Sequence, residues 1–115
     1  MTQWSVYLIR AADNSLYTGI TTDVERRFAE HSDGRAGARY LRGRGPLDLM
    51  YQQEIGSRSL ASKVEYAIKQ LPRTDKCALI ARAPDRQDLL ASLAIDVPVT
   101  EHQGVSDGGQ PDQQT

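Results

Sequence analysis

The chain is short of the groups that staple, span or export a protein. Its 115 residues include one cysteine, so neither an internal disulfide nor a Cys-rich zinc site can form within it. Cys77 stands among Lys76, Ala78, Leu79 and Ile80 and reads as a small core residue in a reducing compartment. No apolar run approaches the roughly 18 residues of a membrane span, which excludes a membrane-spanning helix. Met1-Thr2-Gln3-Trp4 lacks a basic segment followed by an apolar one, so no export signal is expected and a cytoplasmic location is predicted.

Two stretches lack charge of one sign. From Asp96 onward there is no Lys or Arg, and residues 100–115 hold one aliphatic side chain, Val105. Such a segment cannot bury enough apolar surface to offset its ordering entropy, so 96–115 reads as a disordered acidic tail behind one domain over 1–95. Residues 1–95 keep all 14 basic groups against 11 of the 15 acidic ones, a net charge of about +3. Residues 34–47 lack acidic groups altogether and hold Arg35, Arg39, Arg42 and Arg44. Arginine forks suit phosphate oxygens, so this stretch is a candidate polyanion contact as well as a solvated loop.

What is present reads as alternating elements. Residues 4–11 are β-branched and aromatic, Asp13-Asn14-Ser15 signals a turn, and Leu16 to Ile20 reads as a second strand, giving a hairpin. Thr22-Asp23-Val24-Glu25 resembles a capping box and starts a helix near Asp23, which Gly34 ends. Leu47 to Ile55 reads as a third strand. Ser57 or Ser59 caps a second helix stopped by Pro72, a third spans about Thr74 to Arg82, and Pro84-Asp85 opens a short fourth. The order ββαβαα predicts an α/β (α+β) domain with a three-stranded antiparallel sheet flanked by helices.

Several polar groups fall on the core side of these elements. Tyr7 and Tyr17 share a sheet face only if the hairpin loop is odd in length or carries a bulge. On the first helix Arg27 and His31 lie about 60° and 20° from Val24 in helical phase, whereas Arg26 lies about 160° away, toward solvent. On the second helix Leu60, Val64, Ala67 and Leu71 read as the buried stripe, with Glu65 roughly 120° from its centre. Read singly, the tyrosines suggest half-buried packing, Arg27 an internal ion pair, His31 a satisfied imidazole and Glu65 a surface charge. Together they supply a proton acceptor, a phosphate clamp and a ligand for a hard cation, the needs of a one-metal phosphodiesterase.

Val6-Tyr7-Leu8, Tyr17-Thr18-Gly19, Arg27 ten residues after Tyr17, His31 and Glu65 resemble the signature of the GIY-YIG nucleases over about residues 4–82. Leu16-Tyr-Thr-Gly-Ile-Thr-Thr-Asp-Val-Glu-Arg-Arg resembles the small stand-alone bacterial YhbQ-like branch. The first motif, Ser5-Val6-Tyr7, lacks the usual glycine, and Thr18 replaces the usual isoleucine or valine. The resemblance implies a metal-dependent DNA nuclease directed by DNA structure rather than sequence, acting in DNA repair or processing, on the nucleoid when bound. It implies catalytic Tyr7, Tyr17, Arg27, His31 and Glu65, with one Mg²⁺ or Mn²⁺ on Glu65. Gly19, Arg35, Arg39, Tyr40, Arg42 and Arg44 are expected to meet DNA, Gly19 by letting a phosphate approach the strand. The rival reading is a non-catalytic nucleic-acid-binding module or nuclease accessory. DNA is the expected partner, no membrane is, and a protein partner is left unidentified.

Overall fold

The computed structural model describes residues 2–33 and 45–96. The expected DNA contacts Arg35, Arg39, Tyr40, Arg42 and Arg44, and the tail beyond Asp96, lie outside the described residues. Strands β1 (Trp4–Arg10) and β2 (Leu16–Thr21) are followed by helix α1 (Val24–Asp33), strand β3 (Asp48–Gly56) and helices α2 (Arg58–Lys69), α3 (Arg73–Arg82) and α4 (Arg86–Ser92). The strands form one antiparallel sheet in the order β2-β1-β3, so β1 is central and β2 is an edge. This is the predicted α+β architecture, with the short fourth helix present.

A central strand covered on both faces must be apolar throughout, and Val6, Tyr7, Leu8 and Ile9 are all buried. Their alternation divides the core in two. Val6 and Leu8 join Tyr51, Ile55, Leu60, Val64, Ile68, Leu79 and Leu89 on one face. Tyr7 and Ile9 join Val24, with Tyr17, Phe28, Leu47 and Leu49 packed around them, on the other. Burying each large aliphatic side chain of this kind contributes roughly 1.5–3 kcal/mol. Helix α1 therefore covers one face of the sheet and α2 the other.

The hairpin loop has the odd length that the tyrosines require. Arg10 pairs with Leu16, leaving the five residues 11–15 between the strands. Asp13 Oδ1 accepts from the Ser15 backbone N–H at 3.1 Å and from its hydroxyl at 2.6 Å. Asn14 takes the left-handed conformation (φ 72°), which asparagine tolerates better than most residues.

Caps set the helix starts. Asp23, rather than Thr22 of the expected box, caps α1 by accepting from the Arg26 backbone N–H at 3.1 Å. Ser57 caps α2 through the Leu60 N–H at 3.1 Å, and Asp85 caps α4 through the Asp88 N–H at 2.9 Å. Beyond the helices, Tyr51 Oη donates to the Pro84 carbonyl at 2.7 Å and Arg86 Nε to the Ile55 carbonyl at 2.6 Å, tying α4 to β3.

Two expectations need correction. Cys77 is exposed, not in the core: on α3 only Leu79 is fully buried, and two residues of helical twist, about 200°, turn Cys77 away from it. On α2 the buried residues are Leu60, Ala61, Val64 and Ile68, so the stripe is centred further toward Glu65 than Ala67 and Leu71 suggested. Glu65 consequently lies about 85° from its centre.

Candidate active site

The site is built where α1 meets the β1–β2 hairpin. Tyr7 pairs across the ladder with Gly19, and Tyr17 with Ile9, which puts both tyrosines on the α1 face of the sheet. Their ring centroids are 6.3 Å apart. His31, on the last turn of α1, completes an aromatic cluster at 5.8 Å from the Tyr7 ring and, edge-on, 5.5 Å from the Tyr17 ring. Tyr7 Oη lies 2.9 Å from His31 Nε2, in a buried hydrogen bond whose direction the imidazole tautomer sets.

Gly19 is what allows Tyr7 to lie there. A β-carbon on Gly19 would fall 2.5 Å from Tyr7 Oη and 2.6 Å from Tyr7 Cζ. The space vacated by the missing side chain is thus filled by the phenol, whereas the sequence suggested room for a phosphate. Thr18 points to the opposite face of β2 and is 3% exposed, so its departure from the usual aliphatic residue alters the core beneath α2 and leaves the tyrosine cluster unchanged.

Arg27 stands at the rim. Its Nη1 donates to Glu30 Oε1 at 2.9 Å, and its guanidinium stands near enough to the Tyr7 phenol to favour the phenolate. Arg26 is 77% exposed and reaches the second Glu30 oxygen at 3.4 Å, so the two adjacent arginines diverge as their phases predict. Glu30 was not singled out in the sequence, although its positions at i+3 from Arg27 and i+4 from Arg26 are the spacing of helical ion pairs. Arg27's hydrogen bond, above all, holds the Glu30 carboxyl below its usual range.

The electrostatics separate Tyr7 from His31. Burial, followed by the neighbouring Tyr17, pushes the Tyr7 phenol up to about 12, with the Arg27 guanidinium pulling the other way. Burial, reinforced by the Arg27 charge, pulls His31 below its ordinary 6.5. At neutral pH the pair is therefore a protonated phenol beside a neutral imidazole.

Glu65 comes from the other face of the sheet. Helix α1 packs against β2 from one side and α2 from the other, so both helices meet at this edge strand. The Glu65 side chain is 23% exposed and pairs with Lys69 Nζ at 3.3 Å, so Lys69 is more than a solvated charge. The Glu65 charge also acts on Tyr7, adding to the upward shift of the phenol. Among the described residues no group of three or more His, Cys, Asp and Glu side chains gathers as a metal cage. One accessible carboxylate still fits a hard divalent cation that completes its shell with water and substrate oxygens.

Comparison with known proteins shows the family. Residues 3–77 match the GIY-YIG catalytic domain. The UPF0213 proteins YhbQ of Escherichia coli K12 and of Shigella boydii serotype 18 are each 53% identical over 93 residues, covering 81% of this chain and 92% of theirs. Among solved structures, the UPF0213 protein BH0048 from Bacillus halodurans is 36% identical, with a TM-score of 0.48, over 82% of this chain and 99% of that one. No helix among the described residues is long and apolar enough to cross a membrane. With the GIY-YIG catalytic domain matched over residues 3–77 and 53% identity to YhbQ, the chain belongs to the GIY-YIG nuclease superfamily, in its YhbQ-like UPF0213 branch.

Proposed function

We propose that the chain is a metal-dependent DNA nuclease that hydrolyses phosphodiester bonds at sites chosen by DNA structure. The observation that carries this reading is the buried Tyr7 Oη–His31 Nε2 contact at 2.9 Å, with Arg27 against the same phenol. Hydrolysis needs an acceptor for the proton of the attacking water and a cationic clamp on the phosphate.

A phenol held near 12 is a poor base by itself at pH 7. A relay removes the difficulty: water passes its proton to Tyr7 Oη as Tyr7 passes its own to His31 Nε2. The imidazole, kept neutral by burial, accepts it in the tautomer whose proton sits on Nδ1, which the relay requires. No free phenolate has to form. Arg27, anchored by Glu30, offers its remaining N–H groups to the non-bridging phosphate oxygens as negative charge builds there. Tyr17, packed on both rings, holds the relay in register. Glu65 would hold one Mg²⁺ or Mn²⁺, which when bound supplies Lewis-acid stabilisation of the phosphate and the departing 3′ oxygen.

Arg35, Arg39, Arg42, Arg44 and Tyr40 are assigned to the DNA backbone and to an unpaired base, and residues 96–115 to an acidic tail outside the catalytic domain. Such an enzyme serves DNA repair or processing in the cytoplasm, at the nucleoid when bound. A second reading, a non-catalytic nucleic-acid-binding module, draws on Lys69 already neutralising Glu65. Linear, supercoiled and branched DNA, each with and without Mg²⁺ or Mn²⁺, separates the two. The native chain should cut and Glu65→Ala should not; Mn²⁺ failing to bind or to support any cleavage would favour the module.

A further inference from the structure

Helix α2 carries Glu65 toward the site and also presents a second surface. Its buried residues, Leu60, Ala61, Val64 and Ile68, define one side of the helix, and Tyr66 lies about 180° from their centre. Tyr66 is 68% exposed, the large hydrophobic side chain that the described fold leaves in water. A lone exposed aromatic would mean nothing. This one is flanked at i−4, i−3 and i+3 by Ser62, Lys63 and Lys69, all exposed, and no acidic residue shares that face of the helix. Lys69 lies between Tyr66 and Glu65 in helical phase, about 60° from the first and 40° from the second. Its 3.3 Å ion pair with Glu65 joins this face to the candidate site.

We propose that this face of α2 seats an unpaired DNA strand leading away from the scissile phosphate, with one base stacked on Tyr66 and flanking phosphates on Lys63 and Lys69. An aromatic between two cations, with the nearest carboxylate, Glu65, on the far side of Lys69 and paired to it, complements a single strand: the ring covers a base, Lys63 follows the backbone, and Lys69, half-exposed, exchanges Glu65 for a phosphate. A paired duplex offers no free base face to the ring, so the same surface discriminates against it. The inference rests on the nuclease reading for the position of the cut, but the binding it describes needs no catalysis.

The test is fluorescence anisotropy with three labelled DNAs of one sequence (single-stranded, flapped and blunt duplex) in the absence of divalent metal. Tyr66→Ala should weaken single-strand and flap binding about 5- to 100-fold, the scale of one lost base stack, and change duplex binding by less than about 2-fold. Tyr66→Phe should restore it. The slope of log K against log salt should stay unchanged in Tyr66→Ala and fall by about 0.7 per lysine on single strands in Lys63→Ala and Lys69→Ala. Single-strand binding unaffected by Tyr66→Ala, or a loss shared equally by the duplex, would overturn the proposal. Cleavage of the same flap with Mg²⁺ or Mn²⁺ separates the two readings. If the native chain cuts and Tyr66→Ala binds normally, only the α2 surface falls; if it binds through Tyr66 and cuts nothing, only the nuclease falls; if it binds no DNA, both fall.

Discussion

Gly19 and Tyr7 occupy one volume: the ring tip of Tyr7 lies where any other residue at position 19 would carry its β-carbon. The two are partners across the β1–β2 ladder, so strand register presses the phenol onto the neighbouring backbone and leaves His31 to meet it from α1. Gly19→Ala should thus force the buried ring aside and cost about 1–3 kcal/mol of stability, the range for overpacking a core. Denaturant midpoints of Gly19→Ala, Tyr7→Leu and the double variant would check this. The double variant should be more stable than the sum of the single losses predicts, because the smaller residue makes room for the methyl group. Strict additivity would mean that the two positions do not compete for space.

Tyr7→Phe keeps the ring and deletes the hydroxyl. If the phenol relays the proton, nuclease activity should fall on the order of 10²- to 10⁴-fold, while stability changes by only about 0.5–1.5 kcal/mol. Single-turnover cleavage beside a urea titration separates the two effects, and a loss of activity that merely tracked unfolding would remove Tyr7 from the chemistry.

His31 ties activity and stability to the same pH window. Its folded pKa lies below the unfolded 6.5, so on acidification the unfolded chain takes up a proton before the folded one does. Stability therefore rises with pH across this window: it is complete above the unfolded value and is lost as pH falls through 6.5 toward the lower folded value. Cleavage should fall in the same direction, because a protonated imidazole cannot accept from Tyr7. Urea midpoints between pH 7.5 and 5 should show this slope in the native chain and a flatter one in His31→Gln; equal slopes would mean that His31 does not titrate as a buried base.

Arg26 and Arg27 share Glu30 but differ in what else they reach. Arg27→Ala should cost on the order of 10²-fold or more in cleavage rate, the scale of one lost transition-state donor, and Arg26→Ala should leave the rate nearly intact. Rates at saturating DNA would show the difference, and equal losses would place the clamp elsewhere.

The Arg-rich stretch is predicted to meet phosphates on any sequence. Neutralising Arg35, Arg39, Arg42 and Arg44 should weaken duplex binding uniformly and lower the salt slope by about 0.9 per lost contact. Deleting residues 101–115, with three carboxylates, should strengthen binding. Salt titrations of both variants test this, and an unchanged slope in the four-arginine variant would make the stretch a simple connector.

The sequence alone determined whatever depends on neighbours a few residues apart. Strand alternation in 4–10, the turn at Asp13-Asn14-Ser15, the caps at Ser57 and Asp85, and the divergence of Arg26 from Arg27 all follow from local backbone geometry. The five-site signature was equally legible, because its spacing survives in the linear chain. Tertiary structure decided the rest. Which residues of α2 are buried, and hence how near Glu65 comes to the site, depended on how the helix rolled onto the sheet, because its apolar residues are broad enough to allow more than one rotation. The fate of Cys77 was settled the same way, by the side that α3 turned to the core. The Tyr7–His31 bond spans 24 positions, and the shifts that distinguish a phenol near 12 from a neutral imidazole come from burial by β1, β2 and α1 together. Desolvation is a property of the assembled fold, so no stretch of sequence carries it before the elements pack.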